Sequence, residues 1–271
     1  MEVQVERDIE AFVRVQQEAG FDLLADGMLR WQDLFRPLLE ASDGLEPGPL
    51  TRFLDTNTFY RAPHATTAEP RLREPLREPY LAPVPGPRLV TLPSPWALAR
   101  GTGASATTIA KGVLRPQLEA LAPDVELVVL EEPFLAPHEQ RALDELAEAL
   151  ETLSGATKLA LRFVFSDAGR ALAQGAGDLP VDALGIDFYR TRFEDIPDAL
   201  EKTLLAGVVD VRSSLAEDPG ELAVFASRLQ QHVADVALVP NGDLQFVAES
   251  IAREKVLRLG RAKTMRLEEA A

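Results

Sequence analysis

The sequence predicts an α/β fold of the (β/α)8 class, a TIM-type barrel of parallel strands surrounded by helices. Short apolar runs alternate with amphipathic segments roughly every 25–40 residues, which is the pattern of a parallel sheet covered by helices. Several of these runs stop abruptly at acidic residues. In residues 126–133 an apolar run ends in Glu131, Glu132 and Pro133. The carboxyl end of a barrel strand is where active sites of this class lie.

The amino-terminal third of the chain begins with a predicted helix over residues 7–19, closed by Gly20. A strand over 21–25 follows, and a second helix is expected over 28–41. Residues 51–60 are rich in Thr, Phe and Tyr, so we expect them to be extended.

A proline-rich segment over residues 62–87 separates this region from the rest. Its seven prolines exclude a continuous helix or a central strand. Two interpretations stay open, a polyproline-like surface connection or an arm or lid over a site. Such an arm could also pack against a second subunit.

The remaining two thirds of the chain repeat a strand-then-helix pattern. Asp218, Pro219 and Glu221 form a strong helix start, with an N-cap, a proline at the first position and a glutamate at the third. Predicted strands cover residues 88–92, 126–130, 158–165, 183–186, 207–211 and 236–239. Predicted helices cover residues 104–121, 137–153, 194–204, 219–233 and 245–260, with a helical turn at 171–174. Seven strands and the extended segment 51–60 supply an eight-stranded barrel, expected as a single domain over residues 1–271.

Composition excludes several classes of partner. The chain has 271 residues, is 46% hydrophobic and carries a net charge of −15. This charge disfavours nucleic acid and anionic membranes, which both attract clustered Lys and Arg. No apolar run reaches the roughly 20 residues of a membrane span, and the amino terminus lacks a signal-peptide pattern, so a cytoplasmic location is expected. The absence of cysteine excludes disulfides and thiolate ligands.

Polar residues gather at the predicted carboxyl ends of the strands. The set consists of Asp26, Ser94, Glu131, Glu132, Asp167, Asp187, Asp210, Arg212, Asn241 and Asp243, with Arg162 nearby in the sequence pattern. Crowded carboxylates raise one another's pKa, which suits acid–base chemistry in a ligand pocket. The competing interpretation is that these acids cap the following helices or pair with arginines. An oxygen-only Mg²⁺ site from Asp187, Asp210 and Glu131 is a further alternative.

The order of these strand ends resembles the carboxyl-terminal barrel of cobalamin-independent methionine synthase. Residues 16–27 are similar to its "QE-x-GLD-x-LVDGE" segment, and residues 129–133 to its "IQIDEPA". Residues 184–187 are similar to "LSIE", residues 206–213 to "GVVDVHSP", and residues 239–244 to "NPDCGL". The matches keep one order along residues 9–260. The uroporphyrinogen decarboxylase group is a related alternative.

This resemblance implies a zinc site that the sequence has lost. In that family zinc is held by a His-x-Cys pair, a Glu and a second Cys, and it activates the thiol of homocysteine. The corresponding positions here are Arg162, Val164, Asp187 and Gly242. The position of the homocysteine-binding Glu is Met28. We therefore expect no metal and no other cofactor. The family's first-strand segment has no counterpart, so the barrel is expected to lack or replace its first strand.

Three functions follow as hypotheses. The first is methyl transfer without zinc, with Glu131, Asp187 and Arg212 as catalytic residues. Substrate contacts would come from Asp26, Ser94, Glu132, Arg162, Asp210, Asn241 and Asp243. The second is a catalytically silent relative that binds a metabolite or a partner protein. The third is a decarboxylase-like enzyme in which Arg162 and Arg212 bind substrate carboxylates. The ligand would be a small molecule, such as an amino-acid thiol or a folate or corrinoid-type methyl donor. The edge left by the missing strand is expected to be covered by residues 51–60, the amino-terminal helix or a second subunit in a homodimer.

Overall fold

A parallel sheet with consecutive strand order forms the centre of the molecule. The computed structural model describes residues 2–135 and 140–270, with side chains as far as residue 266. The strands are β1 (Ser42–Asp43), β2 (Leu45–Arg52), β3 (Phe59–Ala65), β4 (Arg71–Leu72), β5 (Leu89–Pro93), β6 (Leu127–Glu132), β7 (Leu159–Phe163), β8 (Ala183–Asp187), β9 (Leu200–Val209) and β10 (Val233–Pro240). Strands β5 to β10 pair in parallel in the order β10-β9-β8-β7-β6-β5. The predicted α/β fold of the TIM-barrel type is therefore confirmed.

Helices cover the outside of this sheet. They are α1 (Glu2–Glu18), α2 (Arg36–Glu40), α3 (Pro95–Ala99), α4 (Ala106–Ile109), α5 (Arg115–Leu121), α6 (Gln140–Glu151), α7 (Gly169–Ala173), α8 (Pro219–Leu229) and α9 (Glu249–Ala270), with a π-helical stretch Ala110–Leu114 joining α4 to α5. Short 3₁₀ turns span Ala176–Asp178, Phe193–Asp195 and Leu244–Phe246. The predicted N-cap at α8 is confirmed, since the Asp218 carboxylate accepts from the amides of Gly220 and Glu221 at 2.9 and 3.0 Å. Residues 137–139 of the helix predicted over 137–153 lie outside the described residues.

The alternation of side chains along the strands produces two apolar layers. Val129, Ala160, Ala183 and Leu205 belong to four neighbouring strands and form a cluster of their own on one face of the sheet. Residues of the opposite parity, such as Leu130, pack with the helices in the larger core. The strands are thus buried on both faces, which explains their nearly continuous apolar sequences.

A further segment joins the sheet beside β5. Leu24 makes a parallel bridge to Arg88. Its amide donates to the Pro87 carbonyl and its carbonyl accepts from the Leu89 amide, both at 2.9 Å. The predicted strand over 21–25 is thus reduced to one bridge. Among the described residues, no strand connects Leu24 to β10, so the ladder is open at the place expected for the missing first strand.

Helix α9 bridges the two sides of this opening. Arg266 donates to the Val236 carbonyl of β10 at 2.7 Å, while Lys263 donates to the carbonyl of Gly20 and the carboxylate of Asp22 at 2.8 and 2.6 Å. Gly260 lies so close to the end of α1 that a side chain there would overlap the Ala19 carbonyl. From the sequence, residues 51–60, the amino-terminal helix or a second subunit were expected to cover this edge, and α9 was not among them.

The segment 51–60 is the turn region of a separate hairpin, and its expected role as the eighth strand was wrong. Strands β2 and β3 pair antiparallel with each other and not with the central sheet. The aromatic residues that suggested a strand instead form a cluster. Phe53 and Tyr60 pack edge-to-face with centroids 6.0 Å apart, and each lies about as far from Phe134, at 6.1 and 6.0 Å.

Two helix predictions were also wrong. Residues 194–204 contain only a 3₁₀ turn before β9 begins at Leu200, because that stretch pairs with both neighbours, Leu200 with Val233 and Thr203 with Ala183. Pairing on both sides outweighs the local helical spacing. Of residues 28–41, only Arg36–Glu40 is helical.

The proline-rich segment runs along the outside of the barrel. Leu76 exchanges two hydrogen bonds with the buried Gln117 side chain, and Trp31 donates to the Tyr80 carbonyl at 2.9 Å. A lid function for residues 62–87 and a single domain for the whole chain stay predictions. None of the helices in the described part of the chain has the length and apolar character that crossing a bilayer requires.

Candidate functional site

The carboxyl ends of the central strands, with the loops that follow them, form one edge of the molecule, here called the barrel mouth. Strand register aligns Pro93 with Glu131 and Glu131 with Arg162, while Asp187 aligns with Gly207. The structure places the following predicted site residues at or just after strand ends: Ser94, Glu131, Glu132, Arg162, Asp187, Asp210, Arg212, Asn241 and Asp243. Their contacts divide them into separate groups.

A buried ion network lies at the ends of β6 and β7. Arg162 donates to the carboxylate of Glu131, whose side chain is only 3% exposed, and its guanidinium lies 3.8 Å from the carboxylate of Asp243. Burial raises the pKa of Asp243, and the neighbouring Arg162 opposes this rise. One cation is therefore held between two acids through the same terminal nitrogen, while its Nε is buried and unpartnered among the described residues.

Glu132 forms a closed arrangement with Ser94. One carboxylate oxygen accepts from the amides of Phe134 and Leu135 at 2.8 and 2.9 Å, and the other bonds to the Ser94 hydroxyl. The same hydroxyl caps α3 by accepting from Ala97. Complete burial raises the pKa of Glu132 to about 7, against the hydrogen bonds that lower it. These contacts fix the start of two loops, so both residues act on the geometry of the mouth.

Asp26 anchors the proline-rich segment. Its two oxygens accept from the amides of Met28 and Ala82 at 3.0 and 2.8 Å, and Arg88 lies 4.0 Å away. Burial raises its pKa, and these partners lower it. The described contacts use both oxygens, and the predicted substrate contact for Asp26 stays a prediction.

Asp187 is different, because one of its oxygens has no partner. Oδ1 accepts from the Tyr189 amide at 2.9 Å and the Asn241 side chain at 3.1 Å. Oδ2 is buried and unpartnered among the described residues. Burial raises the pKa of Asp187, and the charge of Asp210 adds to this. An unpartnered buried carboxylate oxygen is rare in proteins and favours either a proton or a ligand donor at that atom.

Asn241 holds two loops at the mouth in register. It donates toward Asp187 and Asp210, at 3.1 and 3.4 Å, and its oxygen accepts from the Val211 amide at 3.0 Å. Asp210 also accepts from the Arg212 amide at 3.0 Å. Asp187, Asp210 and Asn241, predicted from three strand ends, thus do meet in space.

The side chain of Arg212 contacts the hairpin, whereas its backbone amide is what bonds to Asp210. The side chain donates to Asp55 at 2.9 Å, and its guanidinium lies 4.9 Å from the centroid of the Phe165 ring. Asp55 lies 3.9 Å from Arg190 on its other side. Sequence reasoning missed Asp55, Arg190 and Phe165, since no local spacing links Asp55 to a residue 157 positions away.

A buried lysine supports the loop after β9. Lys255 donates to both oxygens of Glu217 at 2.9 Å and to the Leu215 carbonyl at 2.5 Å. Glu217 in turn accepts from the Asp210 amide and the Tyr189 hydroxyl at 2.8 and 3.1 Å. This group was also missed, because the many charged residues of α9 give Lys255 no distinguishing signal in the sequence.

The positions that the resemblance assigns to zinc ligands do not fit a zinc ion. Arg162 brings a positive charge where a ligand lone pair is needed, and Val164 is buried and apolar. A side chain at Gly242 would overlap the ring of Phe165, which fills the space beside it. Among the described residues, no group of three or more His, Cys, Asp or Glu side chains is arranged to hold a metal ion.

The strand order and the mouth define the chain as a parallel α/β barrel with the fold of cobalamin-independent methionine synthases. A B12-independent methionine synthase from Shewanella sp. W3-18-1, solved in complex with selenomethionine, matches with a TM-score of 0.69 at 17% identity over 97% of this chain and 87% of that chain. A putative vitamin-B12 independent methionine synthase from Listeria monocytogenes matches with a TM-score of 0.66 at 15% identity over 96% and 86%. At these identities the likeness is one of fold, and at that level the predicted resemblance is confirmed. No protein-family model and no curated protein matches the sequence.

Proposed function

We propose that this chain is a methionine-synthase-like barrel protein that acts without zinc and binds a small metabolite at the barrel mouth. The supporting observation is the Arg162 guanidinium, which pairs with Glu131 and Asp243 at the position of a zinc ligand. Zinc is what would turn a thiol with a pKa near 8.5 into a thiolate at neutral pH. Since arginine is a poor proton acceptor, Arg162 does not replace zinc in that task.

An amino-acid-like metabolite is the class of ligand we favour. The structurally similar Shewanella protein holds selenomethionine, which carries a carboxylate and an ammonium group. The present mouth offers Asp187 with an unpartnered oxygen for a ligand donor and Arg190 and Arg212 for an anion. The charge of Arg162 is already balanced by Glu131 and Asp243, which weakens the decarboxylase alternative, where it would bind a substrate carboxylate.

Methyl transfer to an acceptor other than a zinc-bound thiol is the second candidate. The observation that favours it is the combination in Asp187 of a raised pKa and a free buried oxygen. Such a carboxyl can take up a proton from a bound acceptor while the ligand excludes water. Glu131 and Arg212, expected as catalytic residues, would then position the ligand.

A thermal-shift panel tests the proposed site. Amino acids, thiols, folates and corrinoids are added to the wild type, to Asp187→Asn and to the control Asp182→Asn. Asp182 accepts from the Leu159 amide at the opposite end of the barrel, so its replacement leaves the mouth untouched. We expect a ligand-induced stabilisation that is lost in Asp187→Asn and kept in Asp182→Asn, since binding stabilises the folded state. A panel without any stabilising compound, or equal responses of both variants, contradicts the proposal.

The proposal includes a cytoplasmic location and the absence of nucleic-acid and membrane partners, in keeping with the net charge of −15. It also includes a homodimer as one way of covering the open side between β10 and Leu24. Light scattering after size exclusion measures the subunit number, and cell fractionation measures the location.

A further inference from the structure

The turn of the β2–β3 hairpin carries an acidic residue over the barrel mouth. Phe53 in this turn lies 6.4 Å from Phe165, which follows β7, and 6.1 Å from Phe134, which follows β6. Asp55 reaches Arg190 after β8 and Arg212 after β9. The turn thus lies across the carboxyl ends of four successive strands.

Asp55 lies between two guanidinium groups in the position of a bound anion. Its Oδ1 accepts from Arg212 at 2.9 Å, and its Oδ2 lies 3.9 Å from Arg190. Among the described residues, Asp55 is the acid recorded within ion-pair distance of either arginine. The guanidinium carbon of Arg212 lies 4.9 Å from the centroid of the Phe165 ring, and this cation–π contact restricts the orientation of the guanidinium.

The attachment of Asp55 is weak enough to be replaced. Its side chain is 72% exposed, whereas that of Arg212 is 22% exposed. An exposed ion pair contributes little to stability, because water competes for both charges. Arg212, which packs on the Phe165 ring, is therefore the fixed part of this arrangement. The side chain of Arg190 is 41% exposed, and the carboxylate on the turn is the exchangeable part.

We propose that Arg190 and Arg212 form a carboxylate-binding site at the barrel mouth, and that Asp55 occupies this site as an internal stand-in until a ligand carboxylate displaces it. This inference deepens the proposed function by naming the chemical group that the ligand presents, and it rests on that function only for the location of the site. Displacement of Asp55 loosens the turn, while Phe53 keeps its ring contacts with Phe134 and Phe165.

A carboxylate fits this site better than a phosphate does. Arg212 already donates one hydrogen bond to the carboxylate of Asp55. Guanidinium groups bind carboxylate and phosphate alike, so the surrounding charges decide between them. Asp210 and Asp187 belong to the same mouth, and a phosphate, which concentrates up to two charges on one group, would meet more repulsion from them than a single carboxylate group of a ligand.

Calorimetric titration with glutarate at constant ionic strength tests the inference. Three proteins are compared: the wild type, Asp55→Asn and the matched control Asp43→Asn. Asp43 also forms an exposed 2.9 Å ion pair, with Arg73, but away from the mouth. Removing the internal competitor should tighten glutarate binding about two- to five-fold in Asp55→Asn, the range expected for an exposed ion pair. Asp43→Asn should bind like the wild type.

Two further measurements identify the partner groups and the motion. Adding Arg212→Gln to Asp55→Asn should weaken glutarate binding by about tenfold or more, because a charge-assisted hydrogen bond is lost. Circular dichroism checks that this variant is folded. In the wild type, saturating glutarate should speed amide hydrogen exchange in residues 53–58, while the uncharged analogue glutaramide should leave it unchanged.

The outcomes that overturn the inference are specific. They are equal affinities in Asp55→Asn and Asp43→Asn, glutaramide binding as tightly as glutarate, or inorganic phosphate binding more tightly than glutarate. The two proposals fail in different ways. If Asp55→Asn binds glutarate no more tightly than the wild type, the role of Asp55 as a stand-in is refuted, but the proposal that the protein acts without zinc is unaffected. If the protein binds stoichiometric zinc, the proposed function is refuted. The change in glutarate affinity of Asp55→Asn then still tests the carboxylate site separately.

Discussion

Replacing Arg162 by Met removes the cation from the buried network at the barrel mouth. Glu131 then keeps a carboxylate that is 3% exposed, with its guanidinium partner gone. Removing one partner of a buried ion pair costs about 3–5 kcal/mol, because the other charge is left uncompensated. Unfolding entropy of about 2.1 cal/mol/K per residue, applied to 271 residues, converts this loss into a melting temperature lower by about 5–9 °C.

Differential scanning calorimetry at neutral pH measures this effect. The double variant Arg162→Met/Glu131→Leu removes both charges, so it should be more stable than the single variant. Lys158→Met is the matched control. Its ion pair with Glu126, at 2.6 Å, joins the opposite ends of the same two strands but is exposed, and its loss should leave the melting temperature close to that of the wild type.

A melting temperature of Arg162→Met within about 2 °C of the wild type would refute this prediction, since such a change corresponds to about 1 kcal/mol at this chain length. The prediction is also refuted if the double variant is less stable than Arg162→Met. Either result would mean that the pair is not the desolvated contact that its burial indicates.

Three further predictions concern neighbouring groups. Gly242→Ala should destabilise the fold by about 1–3 kcal/mol through overlap with the Phe165 ring, and Phe165→Leu in the same chain should recover part of this loss, both measured by urea unfolding. Lys255→Met should cost about 3–5 kcal/mol, because Glu217 loses the cation that bonds both its oxygens; unfolding at the wild-type midpoint would contradict this. The pKa of Glu132, raised to about 7, means that the folded state binds more protons than the unfolded state between about pH 4.5 and 7. Stability should therefore fall as the pH rises through this window, and Glu132→Gln should flatten the profile; an unchanged slope in this variant would count against the assignment.

The sequence predicted the parts of the fold that depend on local pattern. The apolar run ending at Glu131 and Glu132 is a central strand, and Asp218 caps its helix, since both signals lie within a few residues. Residues 200–204 were misassigned to a helix because pairing with two distant strands decides their conformation. The helical spacing of apolar residues in this stretch contains no information about that strand pairing.

The candidate site was predictable only as a set of strand ends. Parallel strands bring Asp187 and Asn241 to the same edge, and these residues do meet, with a separation of 3.1 Å between their bonded atoms. Asp55 was not predictable, because its partner Arg212 lies far along the chain on an unrelated loop. Some acids, such as Glu132, have their oxygens already hydrogen-bonded within the protein. The sequence does not reveal which acids these are, because that depends on tertiary packing.

Native mass spectrometry of the purified protein, before and after equilibration with zinc, tests the central claim most directly. We expect a mass equal to that of the polypeptide, with or without an organic ligand. Arg162 brings a positive charge to a position that the resemblance assigns to a zinc ligand, and a side chain at Gly242 would overlap the Phe165 ring. One zinc ion per chain that survives dialysis against a chelator would contradict it.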